Sequence, residues 1–277
     1  MLHLKELSLS SVSNGALAYP FSVPAVRNTR RLTFSAPVTF FVGENGSGKS
    51  TLLEGLAAAA HLPAVGSASV DDDASLSAAR ALGGAMRLSW AHRTHRGFFL
   101  RAEDFFGFTK SLAVMRTELN ARLAEIEREY ADRSDYAKGL AAGPVRGSLF
   151  ELTEKYGVDF DAQSHGQSFL QLFRERFVPG GLYLLDEPEA PLSPNSQLAM
   201  IAMLHDMVQQ DAQFVIATHS PIILAYPGAQ IVSFDQSPPE IVPYEELEHV
   251  TVTRDFLNNP ARYLRHLVEP HSAEATE

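Results

Sequence analysis

The 277-residue chain contains no cysteine. That excludes a disulfide framework and any zinc site built on thiolates, and it fits a reducing compartment. Basic residues are also in short supply: 23 Lys and Arg stand against 33 Asp and Glu, a formal net charge of -10. A chain this acidic is, as a whole, a poor non-specific binder of nucleic acid. No apolar run approaches the roughly 20 residues that a membrane-crossing helix needs. Apolar stretches such as Phe214 to Ala217 have the length of strands. Met1 to Ser10 carries Glu6 early and lacks a sustained apolar segment, so it does not read as a secretory leader. No internal repeat is visible. These absences lead to the expectation of a cytoplasmic protein without direct membrane insertion. What is present is a 45% apolar composition, enough at this length for a buried core and one large α/β domain.

Hydrophobic patterning divides the chain. Residues 1–42 read as β-rich, with an alternating stretch from Leu2 to Leu9 and two more strands at 32–34 and 38–42, split by Pro37. Lys49 to Ala60 has helical composition and is ended by Pro63. Asp71-Asp72-Asp73 reads as a solvated loop. Met86 to Trp90 and Gly97 to Arg101 are expected to pair as a hairpin. The basic segment His92 to Arg96 would then be its tip, with phosphate contact as an alternative role. Leu112, Met115, Leu119, Leu123 and Ile126 recur at spacings of three and four, which predicts a helix over 111–137. Residues 138–165 read as a turn-rich passage around a short helix, and 166–177 as a helix stopped by Pro179-Gly180-Gly181. Apolar runs at 182–185, 214–217 and 231–234 predict buried parallel strands. Helices are expected at 193–210 and 263–269. This alternation argues for an α/β sheet with a helical insertion in the middle third.

Gly43-Glu44-Asn45-Gly46-Ser47-Gly48-Lys49-Ser50 matches G-x-x-x-x-G-K-[ST] in full. It follows a predicted strand and opens a predicted helix, the context that gives the motif meaning. The glycines permit backbone dihedrals that side chains with a Cβ avoid. The loop amides then converge on an anion, reinforced by the positive end of the following helix. Lys49 supplies a cation for β- and γ-phosphates, Ser50 a hydroxyl for Mg²⁺, and Thr51 a donor for the α-phosphate. A second feature supports the first. The apolar run at 182–185 ends in Asp186 and Glu187. Asp186 would help hold Mg²⁺. Glu187 would polarise the attacking water as general base.

Taken in order, the phosphate loop, the helical insertion, Ser164-His165-Gly166-Gln167-Ser168, the acidic strand end with Pro188, and Ala217-Thr218-His219-Ser220 resemble the ABC-type ATPase superfamily. Within it they are closest to the small stand-alone predicted ATPases sometimes labelled AAA. The resemblance covers roughly residues 30–235. It implies a P-loop NTPase fold: a mixed-sheet core with an N-terminal antiparallel β region and a helical subdomain insertion. The core would be 1–105 and 180–277, and the helical subdomain 106–179. Ser164, His165, Gly166 and Gln167 resemble the family's signature loop, with Gln163 and His165 departing from its commonest sequence. In the family this loop reaches across a head-to-tail dimer to the partner's γ-phosphate. His219 takes the position of the switch histidine. Ala190 to Pro194 stands where the family's inter-site loop lies, with an altered sequence. Glu103 falls where the family usually has a Mg²⁺-coordinating glutamine. Among the N-terminal aromatics, Tyr19, Phe21 and Phe34 are candidates for stacking on adenine.

The resemblance thus implies ATP and Mg²⁺ as ligands and an ATP-dependent homodimer. Catalysis would rest on Glu187, His219 and Lys49, and closure would act on a protein partner. Three alternatives stand beside it: a nucleic-acid-associated ATPase of the repair type, the energising subunit of a membrane transporter, and a non-hydrolysing ATP sensor, against which the intact Lys49, Asp186, Glu187 and His219 argue. The repair relatives carry a much longer coiled coil, and the altered signature and Glu103 weigh against the transporter.

Overall fold

A computed structural model of the chain describes residues 1–10, 18–65, 77–156 and 165–268. Asp71 to Asp73 and Ser164 lie outside the described residues, as do the side chains of Glu103 and His165.

β1 (Leu4–Leu9) is followed by a short helix, α1 (Pro24–Asn28), and by β2 (Arg31–Thr33). The strict alternation expected of β1 is broken by a register shift between Leu4 and Glu6. Such a bulge lets residues three apart share a face, and Leu4 and Leu7 are both fully buried. β3 (Val38–Val42) leads through the glycine-rich loop into α2 (Lys49–Ala60). α3 (Ser77–Ala85) packs on α2 and runs into β4 (Met86–Trp90); β5 (Gly97–Arg101) comes next.

β4 and β5 do not form the expected hairpin. β4 joins β1 in a three-stranded antiparallel sheet of order β2-β1-β4. β5 enters the larger sheet instead. Its continuous run Phe98-Phe99-Leu100 is buried, as a strand covered on both faces requires. Gly97 permits the close approach: at φ +123° its hypothetical Cβ would sit 1.7 Å from the carbonyl oxygen of Leu182.

The middle third is two long helices, α4 (Ala102–Glu129) and α5 (Asp135–Tyr156), then α6 (His165–Arg176). α4 begins and ends earlier than expected, and Ser134 caps α5 by accepting from the Ala137 amide at 3.3 Å. The 22-residue α5 replaces the expected turn-rich passage despite Pro144 inside it. Packing against α4 outweighs local propensity there.

β6 (Leu182–Asp186), α7 (Pro194–Gln209), β7 (Gln213–Ala217), α8 (Pro221–Leu224), β8 (Gln230–Ser233) and the two-residue edge strand β9 (Glu240–Ile241) complete the core. α9 (Glu248–Asn258) and α10 (Pro260–Val268) follow. α10 starts at Pro260, three residues before the expected start, where Asn259 caps it. The large sheet has the order β5-β6-β7-β3-β8-β9, all parallel except β9.

β3, β6 and β7 are buried at every position. One face of the sheet packs through Phe41, Leu184 and Val215 on Leu52, Leu53 and Leu56 of α2. The other packs through Phe40, Leu185 and Ile216 on Phe169 and Phe173 of α6 and Met200 and Leu204 of α7. Two buried glutamines join the sheets. Gln213 accepts from the amides of His3 and Leu4, both at 2.8 Å, and donates to the Leu4 carbonyl at 2.9 Å. Gln230 accepts from the Ser35 amide at 2.7 Å and donates to the Thr33 carbonyl at 2.8 Å. Among the described residues no helix is long and apolar enough to cross a membrane.

Candidate functional site

Because β3, β6, β7 and β8 run parallel, their carboxyl ends share one edge of the sheet, the usual ligand edge of such folds. The phosphate loop leaves β3 there. Gly43, Gly46 and Gly48 have φ of +137°, +82° and +104°, a region closed to most residues with a Cβ. At Gly48 a Cβ would also meet Val23 Cγ1 at 2.7 Å, so α1's entry packs the loop from outside. Lys49 is 5% exposed, and its Nζ donates to the carbonyls of Gly43 at 2.6 Å and Glu44 at 2.9 Å. Burial lowers its pKa, opposed by the carboxylates of Glu187, Asp186, Asp235 and Glu189.

Asp186 ends β6. Its Oδ1 accepts from the Ser50 hydroxyl at 3.1 Å. Burial pushes its carboxyl up to about 7, with the Ser50 hydrogen bond working against the shift. Glu187 follows with φ +50°, a strained conformation for glutamate, locked by its amide donating to the Ala217 carbonyl at 2.8 Å. That turn leaves the Glu187 side chain half-exposed, with Oε1 4.0 Å from His219 Nε2. The two are close, but the separation exceeds a hydrogen bond. Glu44, Asn45, Glu187 and His219 line a recess of about 540 Å³. Thr51 follows Ser50 in the first turn of α2, its hydroxyl 3.4 Å from that of Tyr19. Tyr19 is 59% exposed, whereas Phe34 is buried in the core and Phe21 packs against it.

Three carboxyl or imidazole groups beside the loop escaped the motif reading. Asp235 accepts from the Glu44 amide at 2.9 Å and so braces the loop from β8. It had a legible signal, since it ends an apolar run just as Asp186 does. Glu189 accepts from the His219 amide at 2.7 Å, and burial raises its pKa. His249 comes from α9, and no local pattern announces it.

Five buried side-chain polar atoms among the described residues have no hydrogen-bond partner: those of Thr39, Ser47, Glu189, His219 and His249. All but Thr39 belong to the loop or to groups beside it. Native interiors rarely leave such atoms unpaired without a ligand or water to meet them.

The other expected residues lie elsewhere. Gly166 packs with its α-carbon toward the Pro191 carbonyl, where a Cβ would come within 3.0 Å. Neither Gly166 nor Gln167 lines a recess at the phosphate loop. The backbone of Glu103 is in the first turn of α4, not in a loop. The 92–96 segment is anchored at two points, Thr94 donating to the Gly180 carbonyl at 2.8 Å and Arg96 to that of Pro179 at 3.2 Å, while His92, Arg93 and His95 are exposed.

A family model described as AAA domain matches residues 21–70. No curated protein matches the chain. Solved structures give low-identity likenesses. The SMC head domain from Thermotoga maritima is 15% identical, with a TM-score of 0.43 over 87% of this chain and 99% of that one. An ATP-binding cassette of an ABC transporter in its ADP conformation is 16% identical, with 0.45 over 97% and 100%. The Smc head domain bound to the C-terminal domain of ScpA, from Pyrococcus furiosus, is 11% identical, with 0.46 over 93% and 100%. Likeness at this level decides nothing about activity or partners. The AAA match spans the phosphate loop, whose positive-φ glycines stand between β3 and α2 in the parallel sheet as a P-loop requires.

Proposed function

We propose that this chain binds ATP with Mg²⁺ and hydrolyses it to ADP and phosphate. The observation that carries the reading is the convergence at one sheet edge of Lys49, the Ser50–Asp186 pair and the Glu187–His219 pair. Each supplies a different requirement of phosphoryl transfer, which is catalysed by positioning and electrostatics. Residues 43–51 cradle the phosphates. The Lys49 ammonium now rests on two loop carbonyls, and phosphate oxygens are stronger partners for it.

The oxygens of Ser50 and Asp186 suit Mg²⁺, a hard cation. No cluster of three or more His, Asp or Glu among the described residues could hold a metal alone, so the ion would draw further ligands from the nucleotide and water. Bound there, Mg²⁺ neutralises phosphate charge. Glu103 remains a further candidate ligand on sequence grounds only. Glu187 takes a proton from water as the water oxygen bonds to the γ-phosphorus. The bond from that phosphorus to the bridging oxygen breaks, and ADP leaves with the electron pair. His219, its amide anchored by Glu189, orients the attacked phosphate and the water.

Within one chain Gly166 and Gln167 line neither recess at the phosphate loop. The reading therefore includes a second copy, head-to-tail, whose signature loop closes over the nucleotide, with residues 106–179 acting as the helical subdomain that carries it. Closure would act on a protein partner.

Glu187→Gln tests the chemistry. Steady-state phosphate release is expected to fall by about 10²–10⁴-fold, the usual contribution of a general base, while ATP binding measured by filter retention persists. Unchanged turnover removes Glu187 from the mechanism.

A further inference from the structure

α9 lies far along the chain from every recognised motif, yet its first turn faces the phosphate loop. Glu248, His249 and Val252 line one wall of a cleft of about 710 Å³, and the outer side of the loop, His219 and Asp235 line another. Within it the rings of His219 and His249 meet edge to face, with centroids 6.5 Å apart and planes at 63°. Both Nε2 atoms are buried without a partner. His219 is 38% exposed, so its ring is not fixed by general packing. Its backbone end is held by Glu189. Its ring orientation must be set by something else, because a ring rotation would move Nε2 away from Glu187, 4.0 Å off. Burial, reinforced by His219, lowers the pKa of His249. A neutral imidazole packs as an aromatic edge rather than repelling its neighbour as a cation.

We infer that His249 is a positioning residue for the proposed ATPase reaction: its ring holds the His219 ring toward Glu187 and couples the α9–α10 pair to the nucleotide site. This rests on the hydrolytic reading above. His249 touches no reacting atom. It acts on the rate through His219 and leaves phosphate binding to the loop. Any displacement of α9, by a partner or by a second chain, would then be felt at His219.

The test is a double-mutant cycle read as kcat and KM for ATP. His249→Ala is expected to lower kcat about tenfold, the scale of one aromatic pair, with KM within about twofold. His249→Phe, which keeps the ring edge, recovers most of the loss. In a His219→Ala background, His249→Ala has no further effect, because residues acting through one another are non-additive. The phenylalanine variant and the double mutant separate positioning from a misfolded α9, which would lose activity in every background. Wild-type kcat in His249→Ala, or the same fold loss with His219 absent, overturns the inference. A wild-type chain that binds no ATP, or binds it without turnover, instead fails the underlying reading, and does so before any variant is made.

Discussion

Asp186 illustrates how the site holds charge under strain. Its carboxyl is 8% exposed and its pKa stands near 7, chiefly through burial, against 3.8 in the open chain. The folded value is the higher one. Stability tied to the neutral carboxyl is therefore complete below pH 3.8 and is lost as pH rises from there through 7. In buffer containing EDTA and no nucleotide, Asp186→Asn should melt above wild type at pH 8, by an amount worth a few kcal/mol at most. The difference should shrink as pH falls and vanish near 4. A difference independent of pH contradicts the burial account. At this scale the sequence was informative where backbone geometry dictates residue type: Gly43, Gly46 and Gly48 all take the positive φ that the motif demands. It was silent on His249, whose position depends on where a distant helix packs and not on any local spacing.

Elements show the opposite balance between pattern and context. Strands β3, β6 and β7 were legible because a sheet covered on both faces leaves a continuous apolar run. β4 and β5 were individually legible but wrongly paired. Proximity in sequence suggested a hairpin, whereas Gly97 and Phe98-Phe99-Leu100 fit β5 to the side of β6. Gly97→Ala tests that reason directly. The positive φ and the overlap with Leu182 should cost about 3 kcal/mol or more in denaturant unfolding. A loss under about 1 kcal/mol means that β5 and β6 can separate at little cost. α5 was hidden by Pro144 and by Gly139, Gly143 and Gly147, which read as breakers. Those three glycines face open space, so they are not there for close packing; the contact with α4 maintains the helix in spite of them.

For the whole molecule, the phosphate edge is assembled from segments as distant as Lys49, Asp186, His219 and Asp235, and only the sheet order brings them together. Motif order made most of that edge legible, because strand ends at one edge are a consequence of parallel topology. It could not reveal Glu189, whose hold on the His219 amide is tertiary. Within one chain the loop has Glu187 and His219 beside it, but Gly166 packs against Pro191 and does not line the recess at the loop. The account therefore stands on a second copy. The direct measurement is the mass of Glu187→Gln in solution with and without Mg-ATP, with bound nucleotide quantified in the same samples. The account predicts monomer without ATP, dimer with it, and no ATP-driven dimer when Ser164→Arg is added. A monomer that retains stoichiometric ATP contradicts it.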